Sequence, residues 1–255
     1  MNINSNTVNK INTEELNIFI KDVRFSLMMA KKDRVDYVYN TSALEGNTMT
    51  YPEVQTLLDG ITVGGRKISE EQQILNQNKS VQLLFLMIEE NSFKLDKNTF
   101  LKLHEKVAHE EALKWGEFRS SGVNIGGTTY APPLAEELND IFANGIKEIV
   151  QIKNPIARAI TMFLFGAKNQ FFYDGNKRTS RLMMNGILIQ NGCPILNIKA
   201  KDKLGFNEQM IKFYNSDNIE KSISFLIDYY IKENKHLVQN ILLHDNFRNR
   251  NSLVT

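Results

Sequence analysis

Gln170-Phe171-Phe172-Tyr173-Asp174-Gly175-Asn176-Lys177-Arg178-Thr179-Ser180-Arg181 joins one strongly apolar segment, 160–167, to another, 182–189. Two buried helices with a charged elbow is the simplest reading of such a pattern. If the second helix opens near Asn176, its first N–H groups lack intrahelical acceptors and lie at the positive end of the helix dipole, which makes an anion site. Gly175 lets the backbone approach a bulky oxyanion with no side chain in the way. Arg178 and Arg181, three apart, share a helix face and reach toward one end of it. Asp174 is a hard oxygen ligand of the kind magnesium takes beside phosphates. On spacing alone, an ordinary Asp-Gly-Asn helix start with solvated cations fits about equally well, because such clusters mark turns in many proteins.

The order of residues separates the two readings. The stretch resembles the signature of the Fic (Fido) family, His-x-Phe-x-[Asp/Glu]-Gly-Asn-[Gly/Lys]-Arg-x-x-Arg, with Phe172, Asp174, Gly175, Asn176, Lys177, Arg178 and Arg181 in matching places. One position departs: the family's catalytic His is Gln170 here, followed by Phe171 where Pro is frequent. A second segment, Thr41-Ser42-Ala43-Leu44-Glu45-Gly46-Asn47, resembles the family's inhibitory motif, [Ser/Thr]-x-x-x-Glu-[Gly/Asn]. Taken alone, Glu45 is a carboxylate at a helix end, where its charge is slightly unfavourable and gains from a cation brought by another segment. The resemblance implies that this cation is Arg181 and that the pair obstructs placement of an ATP γ-phosphate.

A third segment completes the likeness. Val123 and Ile125, then Gly126-Gly127, then the β-favouring run from Thr128 to Tyr130, form a hairpin signal in an otherwise helical chain. With Gly116-x-x-Arg119 before it and Tyr130-x-Pro132-Pro133 after it, the stretch resembles the Fic flap. In that family the flap docks a target protein segment as an added strand, here through Val123, Asn124 and Ile125. The expected fold is all-α, a Fic-type bundle around a central helix pair with one small β-hairpin flap.

The resemblance also implies a chemistry, the transfer of AMP from ATP to a Ser, Thr or Tyr hydroxyl of a protein. Asp174 would hold magnesium, Gly175, Asn176, Lys177 and Arg178 would cradle the phosphates, and Arg181 would grip the γ-phosphate once Glu45 is away. Gln170 takes the place of the base, yet a carboxamide has no proton-accepting state near neutral pH. General base catalysis contributes about 10²- to 10⁴-fold, so transfer is expected to fall by at least that much while nucleotide binding persists. Two alternatives stay open. One is a nucleotide-responsive regulatory or binding protein without transfer activity; the other is a phosphotransferase or phosphocholine transferase of the same scaffold, including a growth-inhibiting toxin.

Composition is compatible with all of these. The chain has 255 residues, 42% apolar and 24% charged, an ordinary balance for one large globular domain. Its 31 basic and 29 acidic residues are interspersed and leave a net charge of +2, so no global field argues for nucleic acid. Cys193 is the single cysteine, which excludes an internal disulfide and fits a cytoplasmic setting. The first residues carry no secretory pattern, and apolar runs of about eight residues fall far short of the roughly 20 a membrane helix needs. Homo-oligomerisation is left open.

The rest of the chain reads as successive helices. Residues 1–34 form an N-terminal helical segment whose first dozen residues are expected to fray; 35–230 form the Fic-like domain, with the inhibitory helix at about 35–47 and the flap at about 119–133. Capping boxes at Thr50-x-x-Glu53 and Ser69-x-x-Gln72 open a short and a long helix. Asp96 caps the next, which is expected to carry both His104 and His109 as structural or surface residues. Asn154-Pro155 starts the helix that delivers Gln170, and Gly192 stops the one after the elbow. Helices are expected over 202–214 and from Ile219 to about Asn234, with 231–255 as a tail that is either a last helix or disordered.

Overall fold

Apolar residues at helical spacing, bounded by acidic or amide caps and by glycine stops, produce a run of helices. The computed structural model describes residue 1, residues 3–216 and residues 218–251, with side chains as far as residue 237. Among the described residues are α1 Ser5–Val8, α2 Val23–Lys32, α3 Arg34–Leu44, α4 Tyr51–Leu58, α5 Ile68–Glu89 and α6 Lys97–Val107. These are followed by α7 Leu138–Ile149, α8 Pro155–Asn169, α9 Asn176–Gln190, α10 Lys203–Tyr214 and α11 Ile219–Asn251, with short 3₁₀ turns at Glu14–Phe19, Ala135–Glu137 and Ala200–Asp202.

The central pair is α8 and α9, the most extensive helix pairing in the protein. Asn154 starts α8 by accepting the N–H groups of Ile156 at 2.9 Å and Ala157 at 3.1 Å through Oδ1, which satisfies two otherwise orphaned donors. The two helices touch backbone to side chain at Gly166, where any Cβ would overlap Ser180. From Arg178 to Ile189 every residue of α9 is buried, as expected of a helix without a polar face. Around this pair, α5 and α6 pack on α9, and α3 packs on α5 and so carries its C-terminal end, Glu45, toward the elbow.

Under the elbow lies an aromatic cluster. Phe171 and Phe172 are fully buried, and the Phe171 ring packs 4.9 Å from Phe118, 5.3 Å from Phe142, 5.4 Å from Phe165 and 5.7 Å from Phe100. Edge-to-face and tilted arrangements dominate, as aromatic quadrupoles prefer.

Several expectations from the sequence require correction. Among the described residues there is no strand, so 119–133 is not a β-hairpin but a loop of bends and turns. Its two ends are tied by a side chain rather than by a backbone ladder: Arg119 donates to Ser121 O at 2.7 Å and to Pro133 O at 2.6 Å. The N-terminus packs down, with Ile3 and Val8 buried and the Ser5 N–H and hydroxyl both donating to Glu148, at 3.0 and 2.8 Å. His109 lies beyond the end of α6, in a turn. The long helix α5 begins at Ile68, one residue before the expected cap, and Glu70 reaches back to the Lys67 N–H at 3.4 Å. No glycine or proline interrupts 219–251, and α11 runs on past Asn234; the end of the expected tail, 252–255, lies outside the described residues.

Candidate functional site

The elbow is built by two backbone reversals. Gln170 ends α8 in the left-handed region at φ 50°, ψ 62°, and Gly175 at φ 75° precedes α9. A glycine is favoured at the second, since a side chain there would be strained by φ and would also press on Val107. Asn176 stitches the turn closed. Its Oδ1 accepts the Phe172 N–H at 2.9 Å, and its Nδ2 donates to Phe172 O at 2.8 Å and to Gln170 Oε1 at 3.0 Å. Gln170 Nε2 donates to Ala167 O at 2.6 Å, so both ends of this carboxamide are committed to the elbow.

His104 holds the elbow from α6. Its ring stacks on Phe172 with centroids 3.5 Å apart, and Nδ1 accepts the Gly116 N–H at 3.1 Å. That leaves the proton on Nε2, which donates to Asp174 O at 3.0 Å. Burial pushes the imidazole down to about 4, so it is neutral near pH 7.

Above the elbow is a cavity of about 390 Å³, within the range of small-ligand pockets. The elbow from Gln170 to Arg178 forms its floor and Asn124, Ile125 and Gly126 one wall; Met210, Ile211 and Tyr214 of α10 give it an apolar side. Its charges are matched. Glu45 Oε1 lies 2.5 Å from Arg181 Nη2, and Glu45 Oε2 lies 3.0 Å from Lys177 Nζ. Arg178 Nη1 lies 2.7 Å from Glu111 Oε2, and Arg178 Nη2 lies 3.6 Å from Asp174 Oδ2. Three cations thus face three carboxylates, Glu45, Glu111 and Asp174, and leave no formal charge. Burial opposes ionisation of Glu45, but Arg181, Lys177 and Arg178 together outweigh it and hold the carboxyl down at about 2.

Two features bear on a phosphate and a metal. Arg181 is 1% exposed, and its Nε and Nη1 have no hydrogen-bond partner among the described residues. Asp174 points outward with its side chain 62% exposed, its Oδ1 accepting only the Gly175 N–H at 2.5 Å. Such an outward-facing carboxylate, tied only loosely to Arg178, fits magnesium, which takes one or two carboxylates and completes its shell with phosphate oxygens and water. No group of three or more His, Cys, Asp or Glu among the described residues is arranged to hold a metal by itself.

The loop over the cavity is anchored by Arg119. Besides bridging Ser121 O and Pro133 O, its Nε donates to Gln170 O at 2.6 Å, and its own N–H donates to Phe171 O at 2.9 Å. Tyr173 makes a second tie, its hydroxyl oxygen lying 3.1 Å from Ser120 Oγ and 3.0 Å from Ser121 Oγ and accepting the Ser120 N–H at 3.2 Å. These donors hold the phenol down at about 8.

Of the residues singled out in the sequence, Gln170, Asp174, Gly175, Asn176, Lys177, Arg178 and Glu45 all border one cavity with Asn124 and Ile125. Arg181 lies behind Glu45, and Val123 is half-buried away from the cavity lining. The sequence reading missed Glu111 and the α10 wall, and it gave His104 no partner. Glu111 sits in a polar turn with no periodicity to mark it; for α10, the apolar Met210, Ile211 and Tyr214 were legible only as a helix face.

The comparisons agree with this geometry. Residues 94–188 match the family model described as Fic/DOC. A protein adenylyltransferase Fic of Aedes aegypti is 27% identical over 218 residues, which cover 82% of this chain; the chain spans 43% of that relative's length. Among solved structures, Fic-1 (residues 134–508) from C. elegans superposes with a TM-score of 0.66 at 19% identity, covering 96% of this chain and 70% of that one. A Fic-domain-containing signaling protein from Bacteroides thetaiotaomicron superposes with a TM-score of 0.68 at 18% identity, covering 94% of this chain and 92% of that one. At such identities the structures speak for the fold alone. The elbow and the helices on both sides of it therefore belong to a Fic/DOC-family domain, which this chain carries.

Proposed function

We propose that this chain is a Fic-type nucleotide-binding protein related to the protein adenylyltransferases, held shut by Glu45 and weakened in transfer by Gln170. The observation that carries the reading is the Glu45 carboxylate, which lines the cavity and spans Lys177 beside it and Arg181 behind it. With Glu45 in place the cradle has no net charge to attract a triphosphate; with Glu45 away, two cations and the unused Nε and Nη1 donors of Arg181 become available to it. ATP would lie with its phosphates against the N–H groups and cations that open α9 and its base against Met210, Ile211 and Tyr214. Asp174 would hold magnesium, which when bound neutralises charge on the phosphates.

The remaining parts fall to the chain's own residues. The loop 119–133 keeps its backbone edges free of a ladder, so Val123, Asn124 and Ile125 are available to an extended segment of a target protein, with Arg119 fixing both loop ends. A target hydroxyl would then be presented above Asn176 and Gln170. Gln170 orients but takes no proton, and its amide is already engaged by Asn176 and Ala167. That engagement favours a second reading, a nucleotide-binding regulator without transfer.

One experiment separates them. Glu45→Gly and Glu45→Gly with Gln170→His are incubated with ATP labelled at the α- or γ-phosphate and a lysate. Retained α-label in the double variant supports AMP transfer, and retained γ-label supports phosphorylation. ATP binding without either label supports the regulator, and no ATP binding in either variant overturns the proposal.

A further inference from the structure

Glu111 is a carboxylate at the cradle that no motif marks. It follows α6 in a tight turn, beside Glu110 at φ 59°, with its N–H donating to Ala108 O at 3.0 Å. Both of its oxygens are used. Oε2 accepts from Arg178 Nη1 at 2.7 Å, and Oε1 accepts from Asn76 Nδ2 at 2.9 Å. Asn76, 1% exposed on α5, is fixed in turn: its Nδ2 also donates to His109 O at 2.7 Å, and its Oδ1 accepts from Gln72 at 2.8 Å. Glu111 is absent from the lining of the cavity above the elbow; it borders a second cavity that shares Glu45 and Asp174 with the first.

We propose that Glu111 is the positioning residue for Arg178, fixing the plane of its guanidinium so that the Nη2 edge faces the phosphate end of the cavity; this rests on the nucleotide-cradle reading above. An arginine has many rotamers, and ordering it when the ligand arrives costs affinity. Here the guanidinium is ordered beforehand by a carboxylate that is itself anchored at its other oxygen. Glu111 also offsets the cost of burying Arg178, whose charge burial disfavours and the neighbouring carboxylates restore. Glu45 differs in kind. Both of its oxygens end on cations, Arg181 and Lys177, for which a phosphate would compete, whereas Glu111 does not line the cavity above the elbow and spends one oxygen on the uncharged anchor Asn76.

The sign of one measurement distinguishes a positioner from a second plug. In the Glu45→Gly background, Glu111→Ala is titrated calorimetrically with ATP and with adenosine; Asn76→Ala, which removes the anchor without changing charge, is titrated in parallel and stands alone if Glu111→Ala does not fold. A positioner predicts ATP binding weakened about tenfold with adenosine binding unchanged. ATP binding that tightens, or that weakens together with adenosine, overturns the inference. Independently of nucleotide, the guanidinium resonances of ¹⁵N-arginine-labelled protein should show hindered rotation at Arg178 that is lost in either variant. If Glu45→Gly binds no ATP, the nucleotide reading falls and these resonances decide: hindrance that survives both substitutions overturns the role of Glu111.

Discussion

At the scale of single residues, charge pairing organises the site. Glu45→Gly should tighten ATP binding at least about tenfold by calorimetry, since it frees Arg181 and Lys177. The same change strands a buried guanidinium, which costs about 3–5 kcal/mol, so the variant without nucleotide should melt earlier and recover part of the loss when ATP is added. The pH dependence follows from the depressed carboxyl, at about 2 in the fold against an ordinary 4.5. Its stabilisation is fully present above about 4.5 and is lost as pH falls toward 2. The difference in denaturant midpoint between the wild type and Glu45→Gln should therefore be constant from pH 8 to 5 and shrink only below that. Gln170→His in the Glu45→Gly background should raise AMP transfer by about 10²- to 10⁴-fold, read as α-label on protein. The pairing of Glu45 with Arg181 was legible in the chain because two ordered motifs named both partners. Glu111 was not, because a lone acid in a turn becomes informative only when α5 and α9 bring Asn76 and Arg178 to its two oxygens.

At the scale of elements, the elbow and the loop above it depend on residues that reach between segments. Arg119 serves three carbonyls in different directions, a fork that lysine lacks. Arg119→Lys should raise hydrogen exchange across 120–134, measured by mass spectrometry, while leaving α5 and α9 protected. Phe171→Ala removes a ring packed against four others and should cost about 3–5 kcal/mol in denaturant unfolding. The caps at Asp96 and Asn154 were readable from the sequence, for side-chain capping is a local matter. The loop misled for the opposite reason: β-favouring residues around Gly126-Gly127 promise a ladder only if the two arms pair, and here Arg119 takes the end carbonyls instead. The α1 segment misled similarly, because a polar N-terminus reads as frayed until Glu148 supplies its acceptor.

At the scale of the whole molecule, a buried helix pair carries the charged elbow, and the remaining helices bring the groups that pair with it. This much was visible in the two apolar runs on either side of the signature. No described helix is long and apolar enough to cross a membrane. Glu45 and Arg181 are 136 residues apart in the chain, and the family match at 94–188 holds Arg181 without Glu45. Between the two runs the turn around Gly64-Gly65, exposed and carrying small residues, the kind of place where proteases cut. A nick there would sever covalent continuity yet leave the amino-terminal piece held by packing of α3 on α5, by the hydrogen bonds of Ser5 to Glu148 and by the ion pairs of Glu45. Because that piece carries Leu16, Phe19 and Val38 of the core, the two halves of a clipped chain should stay together and, on the reading proposed for Glu45, the carboxylate with them.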